Sequence, residues 1–169
     1  TAVDKAEDEA DLAFAVNVQG VSNLAMICHQ YSIPLVHIST DYVFDGTKQS
    51  EYTEQDLPQP INVYGKTKWQ GEQAIKESCS QHIILRTSWV FGDHGSNFVK
   101  TMLSLAKQRD YLNIVNDQIG GPTPAASIAE VILAMIEKID SSNESFWGVY
   151  HFAGSPFVSW FEFAQEIFD

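Results

Sequence analysis

Two short apolar runs with a helical stretch between them do most to limit the fold. Leu35 to Ser39 reads as a buried strand, His82 to Arg86 as a second strand, and Tyr64 to about Ser78 as the helix that joins them. A strand, a crossover helix and a second parallel strand join right-handedly in nearly all cases. The alternation continues on both sides. Glu7 to Tyr31 reads as a long helix, with Leu12, Val16, Leu24 and Ile27 on one stripe. Phe98 to Arg109 reads as a helix, Asn113 to Val115 as a short strand and Ala125 to Ile139 as an apolar-striped helix. Trp147 to Phe152 is a further strand, and a helix starts at Trp160. Asp41 to Ile61 and Thr87 to Ser96 are loops. The expected fold class is α/β with a parallel sheet.

The connecting helix opens with Val63-Tyr64-Gly65-Lys66-Thr67-Lys68-Trp69. Tyr64 and Lys68 are four residues apart, so they lie on one helix face. A neighbouring cation favours a phenolate and lowers the phenol pKa from its usual value of about 10. A tyrosine tuned in that way can exchange a proton with an alcohol or sugar oxygen. A Y-x-x-x-K pair also arises by chance on solvated helices, so the surrounding residues decide. The preceding strand ends in Ser39 and Thr40, followed by Asp41 and Tyr42. Ligands of open α/β sheets bind beyond the carboxyl ends of the strands. Those two hydroxyls therefore stand where a bound oxygen could meet them. The plainer alternative is a Ser/Thr/Asp cluster that only starts a loop.

Composition excludes several classes. A net charge of −12 and a pI near 4.6 argue against non-specific binding to nucleic acid or to an acidic membrane surface. The acidic runs, Asp4 to Asp11 and Glu51 to Asp56, read as solvated faces. Cys28 and Cys79 form no C-x-x-C pair and have no metal spacing, as in a reduced cytoplasmic protein. No apolar run comes near the roughly 20 residues that a membrane span needs. His37 reads as a satisfied core histidine, and Asn17 as mainly structural.

Several motifs in one order make the chain similar to the extended short-chain dehydrogenase/reductase superfamily and, within it, to the dTDP-4-dehydrorhamnose reductases. The matching segments are Thr1-Ala2-Val3-Asp4-Lys5-Ala6-Glu7, Ser39-Thr40-Asp41-Tyr42-Val43-Phe44-Asp45-Gly46 and Asn62 to Lys68. They continue through Arg86-Thr87-Ser88-Trp89-Val90, Asn97 to Met102, Asn116-Asp117-Gln118, Gly121-Pro122-Thr123 and Gly148 to Phe152. The resemblance implies a Rossmann-like, doubly wound parallel sheet, here partial, with part of a smaller C-terminal substrate lobe. It places the boundary near residue 91: residues 1–91 would close the dinucleotide-binding domain, and 92–169 would be mostly substrate lobe.

The resemblance also implies the chemistry. Hydride would pass from NADPH or NADH to a C4 ketone of a dTDP-sugar, yielding a donor for cell-surface polysaccharide. Tyr64, Lys68 and Thr40 would be catalytic. Thr1, Ser39, Tyr64 and Lys68 would meet the cofactor. Val3, Thr40, Asp41, Tyr42 and Trp89 would line the substrate.

The chain departs from the family at two places. No G-x-x-G-x-x-G turn occurs, so the chain reads as an internal fragment of a longer enzyme. Some family members dimerise through a magnesium ion held by glutamates. Here Pro122-Thr123 is followed by Pro124-Ala125-Ala126-Ser127, so no metal site is expected and any homodimer would not be metal-linked. Two other readings compete. One is an epimerase or dehydratase of the same superfamily. The other is a non-catalytic subunit like the regulatory subunit of methionine adenosyltransferase.

Overall fold

The computed structural model describes residues 2–141 and 146–169. The helices are α1 (Val3–Asp8), α2 (Ala10–Phe14), α3 (Val21–Gln30), α4 (Val63–Ser78), α5 (Phe98–Ala106), α6 (Ala125–Ser141) and α7 (Trp160–Phe168). A π-helical segment, Ala15–Gly20, joins α2 to α3, and a 3-10 turn occupies Asp41–Val43. The strands are β1 (Leu35–Thr40), β2 (His82–Thr87), β3 (Val90–Phe91), β4 (Ile119–Gly120), β5 (Thr123–Pro124), β6 (Gly148–His151) and β7 (Val158–Ser159). The chain divides into two compact units. One is Thr1–Arg86 with Asn143–His151, and the other is Thr87–Ser142 with Phe152–Asp169.

The first unit is a helix-covered sheet of order β1-β2-β6. β2 and β6 run parallel, with Ile83 beside Gly148 and Arg86 beside His151. α4 is the crossover between β1 and β2. It starts where the Asn62 side chain accepts the Gly65 N–H at 2.7 Å, an N-cap that satisfies an otherwise free donor. Its inner face carries Ile75, which packs with Cys79, Ile84, Val21 and Ala25 into the core. Burying each Ile or Val there stabilises the fold by roughly 1.5–3 kcal/mol.

The predicted long helix is broken. α1 ends at Asp8, and Glu9 adopts a non-helical conformation before α2 begins. The stripe expected to face the core does not: Leu12, Val16, Leu24 and Ile27 are exposed. The buried positions are Val21 and Ala25, where α3 lies against α4. At Gly71 a Cβ would come within 2.2 Å of the Asn17 carbonyl oxygen, so only glycine permits this approach. Ala10–Gln30 is also long and apolar enough to cross a membrane by length and composition alone, which corrects the sequence reading. Here its small-residue face lies on α4 instead.

The second unit holds two short ladders. Val90 and Phe91 pair in parallel with Thr123 and Pro124, and Ile119–Gly120 pairs antiparallel with Val158–Ser159. Asn113 to Val115, expected as a strand, is irregular. The Val115 carbonyl accepts the Phe161 N–H at 3.0 Å at the start of α7, and the ladder forms further on, at Ile119. α7 opens with a capping box. Ser159 Oγ accepts the Glu162 N–H, and the Glu162 carboxylate accepts the Ser159 N–H.

Candidate active site

β1 presents Leu35, His37 and Ser39 alternately, and the last two meet side chains of α4. Its end turns through Thr40, whose hydroxyl accepts the Tyr42 N–H at 3.2 Å and donates to Asp41 Oδ1 at 3.0 Å. This caps the 3-10 turn and fixes Asp41 and Tyr42 beside the start of α4. The two elements approach closely at Gly65, where a Cβ would sit 2.1 Å from the Tyr42 carbonyl oxygen. The Tyr42 and Tyr64 rings meet edge to face, 5.7 Å between centroids.

Tyr64, Lys68, Thr40, Asp41 and Tyr42 therefore share one strand end, as the sequence leads one to expect. The electrostatics differ from expectation. Burial pushes the Tyr64 phenol above its ordinary pKa. The side-chain hydrogen bond with Thr40 works against that, while Asp41 and Tyr42 add to it. The Lys68 ammonium is held by β1. Lys68 Nζ donates to the Ile38 carbonyl at 2.7 Å and lies 3.3 Å from His37 Nε2. Burial pulls the Lys68 pKa down, and Glu72 opposes that. Burial also holds the Asp41 carboxyl above the usual range. The same effect raises Tyr42, with Asp41 and Asp4 adding to it.

Under this layer lies a buried ion pair that sequence reasoning missed. Glu72 is fully buried and Arg86 is 4% exposed. Arg86 donates from Nε to Glu72 Oε1 at 3.0 Å and from Nη2 to Oε2 at 2.6 Å. Ser39 Oγ donates to Glu72 Oε1 at 2.5 Å, so its hydroxyl faces the helix. Arg86 Nη1 lies 3.4 Å from His151 Nε2, and its guanidinium sits 5.2 Å from the centre of the Phe44 ring. The His151 N–H donates to Glu54 Oε1 at 2.9 Å. The ends of β1, β2 and β6 and the loop after the 3-10 turn are thus tied to one carboxylate on α4. The signal was present in the sequence: Tyr64, Lys68 and Glu72 follow each other at helical spacing.

The family model of the RmlD substrate binding domain matches residues 1–169. The chain belongs to this RmlD family. A dTDP-4-dehydrorhamnose reductase of Aggregatibacter actinomycetemcomitans is 51% identical over all of this chain and 58% of its own length. A crystal structure of the reductase from Bacillus anthracis in complex with NADP has a TM-score of 0.91 and 45% identity. The match covers 99% of this chain and 58% of that one. An ortholog from Clostridium acetobutylicum gives 0.93 and 43%, covering 99% and 57%. This RmlD chain thus spans a little over half the length of the relatives it matches. The Rossmann-like α/β fold expected of it stands.

The other expected site residues of the RmlD chain fall as follows. Val3 is the first residue of α1 and half-buried. Thr1 lies outside the described residues. Trp89 belongs to the second unit, at a left-handed φ of 47°, with its indole stacked on Trp160 at 3.5 Å between centroids. Asn17, in the π segment, donates from Nδ2 to Thr67 Oγ1 at 3.0 Å, between the two residues of the Tyr/Lys pair in sequence. Among the described residues, no three His, Cys, Asp or Glu side chains gather at metal-binding spacing.

Proposed function

We propose that the protein carrying this chain is an NAD(P)H-dependent dTDP-4-dehydrorhamnose reductase, which converts dTDP-4-dehydro-L-rhamnose to dTDP-L-rhamnose. The observation that carries the reading is the family match over all 169 residues, with Tyr64, Lys68 and Thr40 at one strand end. When bound, the nicotinamide supplies the hydride to the sugar C4. Tyr64 gives its proton to the developing alkoxide. A tyrosine phenol is protonated at neutral pH, as that direction requires. The Thr40 hydroxyl would hydrogen-bond the same sugar oxygen by turning its single proton from Asp41 Oδ1, and a donor at such an oxyanion is worth roughly 3–4 kcal/mol. Lys68 has two acceptors and one N–H left over, which fits a ribose hydroxyl of the cofactor. Thr1 would stand beside the nicotinamide. The Ser39 side chain is committed to Glu72, so contact with the cofactor falls to its backbone.

Asp41, Tyr42 and Val3 would lie on the sugar side, and Trp89 would offer the sugar an aromatic surface. A dehydratase is less well supported, because the acidic pair such enzymes place after the strand-end Thr is here Asp41-Tyr42. The reading carries a cytoplasmic enzyme, and the two free cysteines agree with it.

The test follows nicotinamide absorbance when the full-length protein meets dTDP-4-dehydro-L-rhamnose. Absorbance should fall, and Tyr64→Phe should stop the fall while leaving circular dichroism unchanged. Cofactor binding without oxidation in the wild type would move the reading to a different nucleotide sugar or to the regulatory-subunit alternative.

A further inference from the structure

His37 was expected to be an inert core histidine. Its side chain lies on the face of β1 that meets α4, between those of Leu35 and Ser39. Lys68 Nζ is 3.3 Å from its Nε2 and donates to the next residue's carbonyl, Ile38 O, at 2.7 Å. A half-buried ammonium needs acceptors in place of the water it has lost, and a hydrogen bond to a charged donor is among the stronger kinds. A backbone carbonyl and a ring nitrogen from adjacent residues of one strand form a fixed two-point seat. The carbonyl is there whatever the residue, whereas the ring nitrogen depends on residue 37 being histidine.

We propose that His37 is a positioning residue for Lys68: its neutral imidazole accepts a hydrogen bond at Nε2 and holds the ammonium near the carboxyl end of β1. For catalysis the inference rests on the reductase reading, but the contact itself does not. The ring carries its proton on Nδ1. Burial, with Lys68 adding to it, lowers the His37 pKa to about 4, so the ring stays neutral at working pH. The other groups around the seat are Tyr64 and Glu72 on α4 and, past Glu72, Arg86 of β2. Further off, Asp41 and Tyr42 lie at the 3-10 turn, Asp4 acts on Tyr42, and Glu7 accepts the Val63 N–H at the start of α4. Among these, Glu72 acts on both Lys68 and His37.

The experiment uses the full-length protein with 15N-labelled lysine and histidine, the Lys68 signal being assigned through Lys68→Arg. In the wild type at neutral pH, the His37 ring shifts should report Nδ1–H and a bare Nε2. A proton on Nε2 overturns the proposal, and this readout needs no variant to fold. Removing the acceptor in His37→Leu should lower the Lys68 pKa by about half a unit or more. His37→Gln, which restores an acceptor, should return it toward the wild-type value. An unchanged Lys68 titration in folded His37→Leu overturns the proposal. In turnover, the alkaline limb of the pH profile should move down by the same amount in His37→Leu and recover in His37→Gln. A Lys68 shift in a wild-type protein that never oxidises the cofactor would sustain the seat and remove the reductase reading.

Discussion

Glu72 and Arg86 meet through two parallel hydrogen bonds, 3.0 and 2.6 Å long, in a place almost closed to water. Breaking such a pair from one side leaves an uncompensated buried charge, which costs about 3–5 kcal/mol. Glu72→Met should show a loss of that order in urea unfolding. The double variant Glu72→Met/Arg86→Met should lose less than the single one, because no lone charge remains. A single variant within about 1 kcal/mol of wild type would mean that Arg86 finds water.

Gly71 sets the distance between α4 and the π segment. Gly71→Ala should cost about 1–3 kcal/mol, as overpacking does in tight interiors. The Asn17–Thr67 hydrogen bond should weaken with it, visible as faster exchange of the Asn17 side-chain amide protons. Wild-type stability in this variant would show that the helices slide apart freely.

His37 links stability to pH, and the sign follows from its lowered pKa. The unfolded ring titrates near 6.5 and the folded one near 4. Between those values the unfolded chain binds more protons, so stability is fully present above about pH 6.5 and is lost as pH falls toward 4. The loss across that window should reach about 3 kcal/mol at most. Comparing wild type with His37→Gln isolates the term, since Asp41, raised by burial, has the opposite sign in both. Parallel stability curves for the two proteins between pH 4 and 6.5 would remove it.

Ser159 closes two bonds at the head of α7, accepting from Glu162 N–H and donating to Asn116 Oδ1 at 2.7 Å. Ser159→Ala should lower thermal stability by about 1–2 kcal/mol, and Ser159→Thr should recover part of it. An equal loss in Ser159→Thr would place the effect in packing rather than in the hydroxyl.

β1, β2, β6 and α4 were legible because their signals are local: short apolar, β-branched runs and helical spacing. The sharing of one strand end by Tyr64, Thr40 and Asp41 could be read for the same reason, with α/β topology supplying the rest. The helix before β1 was misread on its faces. The stripe of Leu12, Val16, Leu24 and Ile27 is exposed, and the face that meets α4 is the one with Val21 and Ala25. The ammonium's partner was also out of reach. A lone histidine in a strand gives no sign that a lysine some thirty residues on will reach it. Helical spacing puts Glu72 on the face of Tyr64 and Lys68, but its burial depends on Arg86, whose role no spacing along the sequence reveals.

The π segment has a consequence for chain length. A π turn takes in one residue more than an α turn over the same rise. Ala15–Gly20 can thus be seen as an absorbed insertion, a loop's worth of slack kept inside a helix. A homologue with one residue deleted there could straighten the helix and still lay the counterparts of Val21 and Ala25 on α4. It would forfeit the bulge that brings Asn17 to Thr67, next in sequence to Lys68.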